Sequence, residues 1–161
     1  MPVPEFVVRL RERVGQEELW LPAVTAVVVR GEGDAREVLL VQRADNGRWT
    51  PVTGILDPGE EPAVGARREV LEETGVEVSV DRLVATSAGA PQTHVNGDRA
   101  VYLDLTFACT WLAGEAHVAD DESAAVRWCP VSDVDVALDV AAHRERVAAA
   151  LSGEQRARFR A

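Results

Sequence analysis

The chain has 161 residues, the length of one domain that buries a core without disulfide or metal staples. Apolar residues make up 47% and aromatics 5%, so Ala, Val and Leu must build most of that core. A net charge of −10 argues against a general nucleic-acid binder, which needs a basic face; an anionic ligand stays open, because a divalent cation reverses the sign of an acidic site.

In chain order, residues 5–14 read as a short amphipathic helix stopped by Gly15. Charges stand there where a signal peptide would be apolar, and no run reaches the length of a membrane span, so the expected location is the cytoplasm, with no membrane partner. Residues 23–30, "AVTAVVVR", form a continuous β-branched run and predict a buried strand. A turn at 31–35 leads to a returning strand at 36–43, and 44–49 reads as a loop with an Asn-Gly turn. The segment 54–62, "GILDPGEEP", reads as loop by its Gly and Pro content. Residues 63–74 are good helix formers, and Gly75 stands where a C-cap belongs. Further strands are predicted at 76–89, 101–114 and 124–131, with an Asn-Gly turn in 94–100 and an acidic loop at 118–123. Residues 140–151 read as a final helix, and the polar tail 152–161 is expected to fray. Cys109 and Cys129 fall in apolar strands and are expected to be buried free thiols; a disulfide or metal pair is the alternative. Strands before and after one central helix, with helices at both ends, predict a mixed sheet between helices, an α/β (α+β) fold of one domain over 1–161.

The segment 54–76 holds five glutamates and one aspartate against two arginines. On a helix, Glu69, Glu72 and Glu73 stand at i, i+3 and i+4 and share one face, where like charges destabilise by about 0.2–0.5 kcal/mol per pair. Such a carboxylate cluster suits a hard divalent cation, which takes oxygen ligands. Ala66 and Val70 lie opposite and can pack on the sheet, so the helix would hold its carboxylates outward. Arg68 sits beside Glu69 and four residues before Glu72, placed to orient both, and Glu60 can reach back to the same cluster. Spacing alone is equally met by a solvated acidic face.

The whole segment decides more. Gly54, five residues, Glu60, seven residues, then Arg68-Glu69-Val70-Leu71-Glu72-Glu73-Thr74-Gly75-Val76 resembles the Nudix box, G-x5-E-x7-R-E-U-x-E-E-x-G-U with U apolar, at every fixed position. The resemblance implies the Nudix fold, an α/β/α sandwich with its core at about 20–151, and hydrolysis of a nucleoside diphosphate linked to another moiety. It implies Mg²⁺ or Mn²⁺ held by Glu69, Glu72 and Glu73, with Glu60 and Arg68 behind them. Family members often show a second glycine just before the box. Here Thr53 stands in that place, and its backbone carbonyl is the implied further ligand. The catalytic set implied is Glu73, Glu69, Arg68 and an acid of the later loop "DDE", Glu122, as base or additional metal ligand.

The box does not name the substrate. Pro91, 15 residues past Val76, stands near a proline that often marks ADP-ribose hydrolases of the family, which favours an ADP-sugar type. Trp49 could stack on a base and Arg43 could pair with a phosphate. His94 could touch substrate, whereas His117 and His143 read as surface residues. The other readings are a housecleaning hydrolase of non-standard nucleoside triphosphates and a non-catalytic nucleotide sensor. Sensors usually lose box residues and often carry a DNA-binding domain; the box here is intact, and no helix-turn-helix extension is read. The expected partner is a small nucleotide, without stable nucleic-acid binding, and a homodimer is compatible with the sequence.

Overall fold

The computed structural model describes residues 3–159; Met1 and Pro2, and Arg160 and Ala161 at the end of the expected tail, lie outside them. The elements are α1 (Glu5–Val14), β1 (Leu19–Arg30), β2 (Glu37–Arg43), β3 (Trp49–Thr50), β4 (Val52–Ile55), α2 (Pro62–Thr74), β5 (Glu77–Ala88), β6 (Gln92–Thr93), β7 (Arg99–Ala113), β8 (Ser123–Pro130), α3 (Val134–Ala137) and α4 (Ala141–Leu151). They form one mixed sheet whose main path runs β3-β2-β1-β7-β5, with β4 on β1, β6 on β7 and β8 on β2.

β1 is central. It lies parallel to β7 from Leu19↔Ala100 to Val29↔Thr110 and antiparallel to β4 on its other side, and its β-branched run is buried on both faces by the clusters under α2 and α4. Strand periodicity then sorts the residues. Val24, Ala26 and Val28 face one way and pack with Leu39, Val52, Val70 and Phe107 under α2. Val27 faces the other way, with Val38, Leu40, Val84 and Val147 under α4. Each fully buried Val or Leu contributes roughly 1.5–3 kcal/mol, so the two clusters fix both helices on the sheet. This is the α/β/α arrangement the strand and helix order predicts.

The differences from the sequence reading have physical causes. β1 and β2 pair only beside their turn, at Val29↔Val38 and Arg30↔Glu37, and then diverge. The segment 49–55 fills the gap, pairing with β2 through Trp49–Thr50 and with β1 through Val52–Ile55. Pro51, which cannot donate to a ladder, marks the change of partner and hides the strand pattern. Pro22 is tolerated in β1 because its β4 side is the end of that pairing, where its carbonyl accepts from the Leu56 N–H at 3.1 Å. The polar tail does not fray through residue 159. Arg158 forms a bridge on β5, its N–H donating to the Val84 carbonyl at 2.8 Å and its carbonyl accepting from the Thr86 N–H at 2.9 Å. Both cysteines are buried and free, as expected, and burial pushes the Cys109 thiol up to about 12.

Candidate active site

α2 starts at Pro62, whose fixed φ suits a first turn, and ends where Gly75, at φ 67°, donates its N–H to the Leu71 carbonyl at 2.9 Å. Ala66, Val70 and Thr74 press on the sheet. Two of the three glutamates do not point outward as the sequence suggests: Glu69 is 2% and Glu73 6% exposed, and only the Glu72 side chain, at 45%, is open to water. The helix lies so close to β4 that a Cβ on Gly54 would come within 1.9 Å of Glu69 Cδ. The glycine that opens the box is therefore the space in which the Glu69 carboxylate sits.

Arg68 organises the cluster. Its Nε and Nη2 donate to Glu60 Oε1 at 2.7 Å and Oε2 at 2.8 Å, a two-pronged pair. Its Nη1 donates to Glu69 Oε1 at 2.9 Å and Glu72 Oε2 at 3.1 Å. Glu60 is braced in turn by the Asp57 N–H at 3.1 Å, and the Arg68 contact holds its carboxyl below the usual range. These contacts bring Glu60, Arg68, Glu69 and Glu72 together.

Arg68 does not neutralise the cluster. Burial pushes Glu69 up to about 7 against the opposing pull of Arg68. Glu73 is pushed up to about 8, first by burial and then by the negative charges of Glu69, Asp120 and Glu122. Among the described residues no basic side chain pairs with Glu73.

The acidic loop is tied to this spot. The N–H groups of His117 and Ala119 donate to the carbonyls of Thr74 and Glu73, both at 3.1 Å, strapping the loop to the end of α2. The Ala44 N–H donates to the Glu122 carbonyl at 2.7 Å, tying the loop to the end of β2. Asp120 Oδ1 accepts from the N–H groups of Glu122 at 3.1 Å and Ser123 at 3.3 Å. Asp120 raises Glu73 more than Glu122 does, which sequence reasoning missed; its only signal was membership of the same acidic run. Arg43, at the end of β2, grips Asp45 through two hydrogen bonds of 2.9 and 2.8 Å. That contact holds Arg43 above its usual range, and Glu122 and Glu73 add to it, so Arg43 borders the cluster.

Thr53 sits in β4 beside Gly54, opposite Thr25 of β1. Trp49 packs with the cluster under α4, not with the carboxylates. The Arg127 guanidinium covers it at 4.2 Å, and it lines a cavity of about 580 Å³ with Trp128 and Asp133. His94 Nε2 is 2.9 Å from the Tyr102 hydroxyl, and exposed His117 covers Gly75. His143 is not a plain surface residue: it is half-buried, and burial followed by the charge of Arg146 pushes it down to about 4.

No three His, Cys, Asp or Glu side chains among the described residues stand in a ready-made metal cage. Arg68 holds one oxygen of Glu69 at 2.9 Å and one of Glu72 at 3.1 Å. The donor chemistry nevertheless fits Mg²⁺ or Mn²⁺: hard carboxylate oxygens, two of them buried and pushed up so that they hold protons a cation can displace.

A family model described as the NUDIX domain matches residues 19–151. A MutT-like protein of Streptomyces ambofaciens is 37% identical over 112 residues, covering 70% of this chain and 65% of that protein. The chain thus spans less than two thirds of that relative, and smaller shares, 16% and 28%, of two other curated relatives. Among solved structures, a NUDIX hydrolase from Nitrosomonas europaea superposes with a TM-score of 0.66 at 22% identity, over 84% of this chain and 90% of that one. An ADP-ribose pyrophosphatase from Streptococcus suis gives 0.61 at 21% identity, over 86% and 96%. At these identities the structural likeness is one of fold.

Proposed function

Because the chain belongs to the NUDIX family, we propose that it is a Mg²⁺- or Mn²⁺-dependent pyrophosphohydrolase that cuts a nucleoside diphosphate linked to another moiety. The observation that carries this reading is the buried pair Glu69 and Glu73, set in an intact box and pushed up to where a cation can displace their protons. Glu69, Glu72 and Glu73 would hold the cation, with the Thr53 carbonyl as a further ligand. When bound, the cation neutralises pyrophosphate charge and lowers the pKa of a water.

The chain's own groups do the rest. Glu60 and Arg68 keep Glu69 oriented while it ligates. Arg43 lies beside Glu73 and Glu122 and can turn from Asp45 to a phosphate oxygen. Glu122, or Asp120 two residues before it, takes the proton of the attacking water. The water oxygen bonds to one phosphorus, the bridging P–O bond breaks, and the products are a nucleoside monophosphate and a phosphorylated moiety.

For the substrate, an ADP-ribose or ADP-sugar type is supported by Pro91, in the exposed loop between β5 and β6. The test is a panel of ADP-ribose, other ADP-sugars, dinucleoside polyphosphates and nucleoside triphosphates with Mg²⁺ or Mn²⁺, both products being identified by chromatography. The reading predicts AMP and ribose 5-phosphate from ADP-ribose. Release of pyrophosphate from triphosphates, with ADP-ribose intact, would replace it by the housecleaning activity.

A further inference from the structure

Asp104 is a buried acid that the proposed reaction does not use. It lies in β7 on the α4 face, 3% exposed. Its Oδ1 accepts from the Thr25 hydroxyl at 2.5 Å, and its Oδ2 from the Thr106 hydroxyl at 2.6 Å. Arg146 of α4 places Nε 3.2 Å from the same Oδ2. A carboxylate only accepts, so the one hydroxyl hydrogen of Thr25 is committed to Asp104, and that bond holds the buried Thr25 side chain in one rotamer.

The other neighbour of Thr25 is β4. Thr25 and Thr53 stand directly opposite in the β1–β4 ladder. Opposite residues in an antiparallel ladder alternate between hydrogen-bonded and non-hydrogen-bonded pairs. The Leu56 N–H donates to the Pro22 carbonyl at 3.1 Å, which makes Pro22 and Leu56 a hydrogen-bonded pair and, two residues along, Val24 and Gly54 another. Thr25 and Thr53 are therefore a non-hydrogen-bonded pair, the kind whose side chains lie closest on their shared face. The Thr53 carbonyl, by the same alternation, is not spent on β1 and faces away from it. It shares its peptide with Gly54, against which the Glu69 carboxylate is packed. A line of neighbours thus runs from Asp104 through Thr25 and Thr53 to the backbone beneath Glu69.

We propose that Thr25 and Asp104 are positioning residues for the cation site. Asp104, held by Thr106 and Arg146, locks the Thr25 side chain, and Thr25 backs Thr53 so that its carbonyl is presented in one orientation. This rests on the pyrophosphohydrolase reading, in which that carbonyl is a ligand. Had the network only a structural role, its two threonines would be equivalent, because both donate to Asp104 from buried positions.

The experiment measures the Kd of Mn²⁺ by its electron paramagnetic resonance signal, with and without α,β-methylene-ADP, whose P–C–P bridge resists cleavage. Urea midpoints are recorded alongside. Thr25→Val keeps the shape and removes the hydroxyl, and it is expected to weaken Mn²⁺ about tenfold, the low end of what loss of an outer support costs a metal site. Thr25→Ser restores the hydroxyl and should stay within about threefold of wild type. Thr106→Val takes the same number of hydrogen bonds from Asp104 without touching β4; its urea midpoint should fall as that of Thr25→Val does, with the Kd of Mn²⁺ within about threefold of wild type. Thr53→Ala keeps the carbonyl and removes the side chain that Thr25 backs. It should weaken Mn²⁺ as Thr25→Val does, and it decides the matter if Thr25→Val does not fold. Wild-type affinity in Thr25→Val or Thr53→Ala, equal weakening in Thr106→Val, or a Thr25→Ser as weak as Thr25→Val overturns the proposal while the hydrolase reading stands. Wild type that binds no Mn²⁺ with or without the nucleotide overturns both.

Discussion

The two faces of the sheet each bury acid, with opposite results. On the α4 face, Asp104 receives two hydroxyl hydrogen bonds and an arginine. On the α2 face, Glu69 shares one arginine with two other carboxylates, and Glu73 has no ion pair among the described residues, Arg43 adding only a longer-range attraction. Both helices could have been supplied with arginines, since α4 itself carries Arg144 and Arg146. A satisfied buried acid holds elements together, whereas an under-neutralised pair waits for a cation from outside.

The largest expected effect separates the faces outright. Glu73→Gln should lower kcat by about three orders of magnitude or more, because on the proposed reading it removes a ligand charge at the reacting centre. Circular dichroism and urea unfolding of the metal-free protein should show no loss of stability, since the substitution relieves repulsion by Glu69, Asp120 and Glu122. Arg146→Ala should do the reverse. It strands Asp104, and breaking a buried pair of this kind costs about 3–5 kcal/mol, readable as a shifted urea midpoint.

Metal should act on one face only. Divalent cation at about 100 times its Kd should stabilise the wild type by about 2.7 kcal/mol and raise Tm, with no rise in Glu73→Gln. An unchanged wild-type Tm over a millimolar titration would mean that cation binding needs substrate.

The pH dependence carries the same contrast. Glu69 and Glu73 titrate near 7 and 8 when folded, against 4.5 for a freely solvated glutamate. They bind protons that the unfolded chain has released, so metal-free stability should fall as pH rises from 4.5 to 8. His143, near 4 when folded against 6.5, works the other way: below pH 6.5 the unfolded chain gains a proton that the native state refuses, and stability is lost toward pH 4. Thermal melts from pH 6.5 to 8 therefore isolate the carboxylates, and Glu73→Gln should flatten that slope. Between pH 4 and 6.5, His143→Gln should make stability fall more steeply with rising pH.

The smallest effect concerns the loop. Glu122→Gln or Asp120→Asn should reduce kcat far more than it raises KM if its acid is the base, while Asp121→Asn stays within a few-fold. Equal small losses in all three would assign the loop a general field and no base.

The box was legible because its chemistry is written in spacing within one helix and its approach loop: Gly54, Glu60, Arg68, Glu69, Glu72 and Glu73 all fall within 20 residues. That Glu69 and Glu73 would turn inward was not, since helix periodicity shows which residues share a face and not how closely that face approaches β4. The α/β/α order was readable from β-branched and helical runs. The exchange of partners at Pro51 was not, because it depends on where β1 and β2 diverge. Asp104, Thr25, Arg146 and His143 left no local signal: their contacts join β1, β7 and α4 across separations of up to 79 residues for Thr25 and Asp104. The tail read as polar and loose because its anchor is a backbone bridge, which no side-chain pattern reveals.

Buried and under-neutralised, Glu69 and Glu73 should accept a cation in exchange for their protons. Calorimetric titration of Mn²⁺ at about pH 7, in buffers of different ionisation enthalpy, counts the protons released on binding. With Glu69 near 7 and Glu73 near 8, ligation must expel their protons, and the expected release is about one or more per cation, reduced in Glu73→Gln. Binding without proton release, or with the same release in Glu73→Gln, would contradict it.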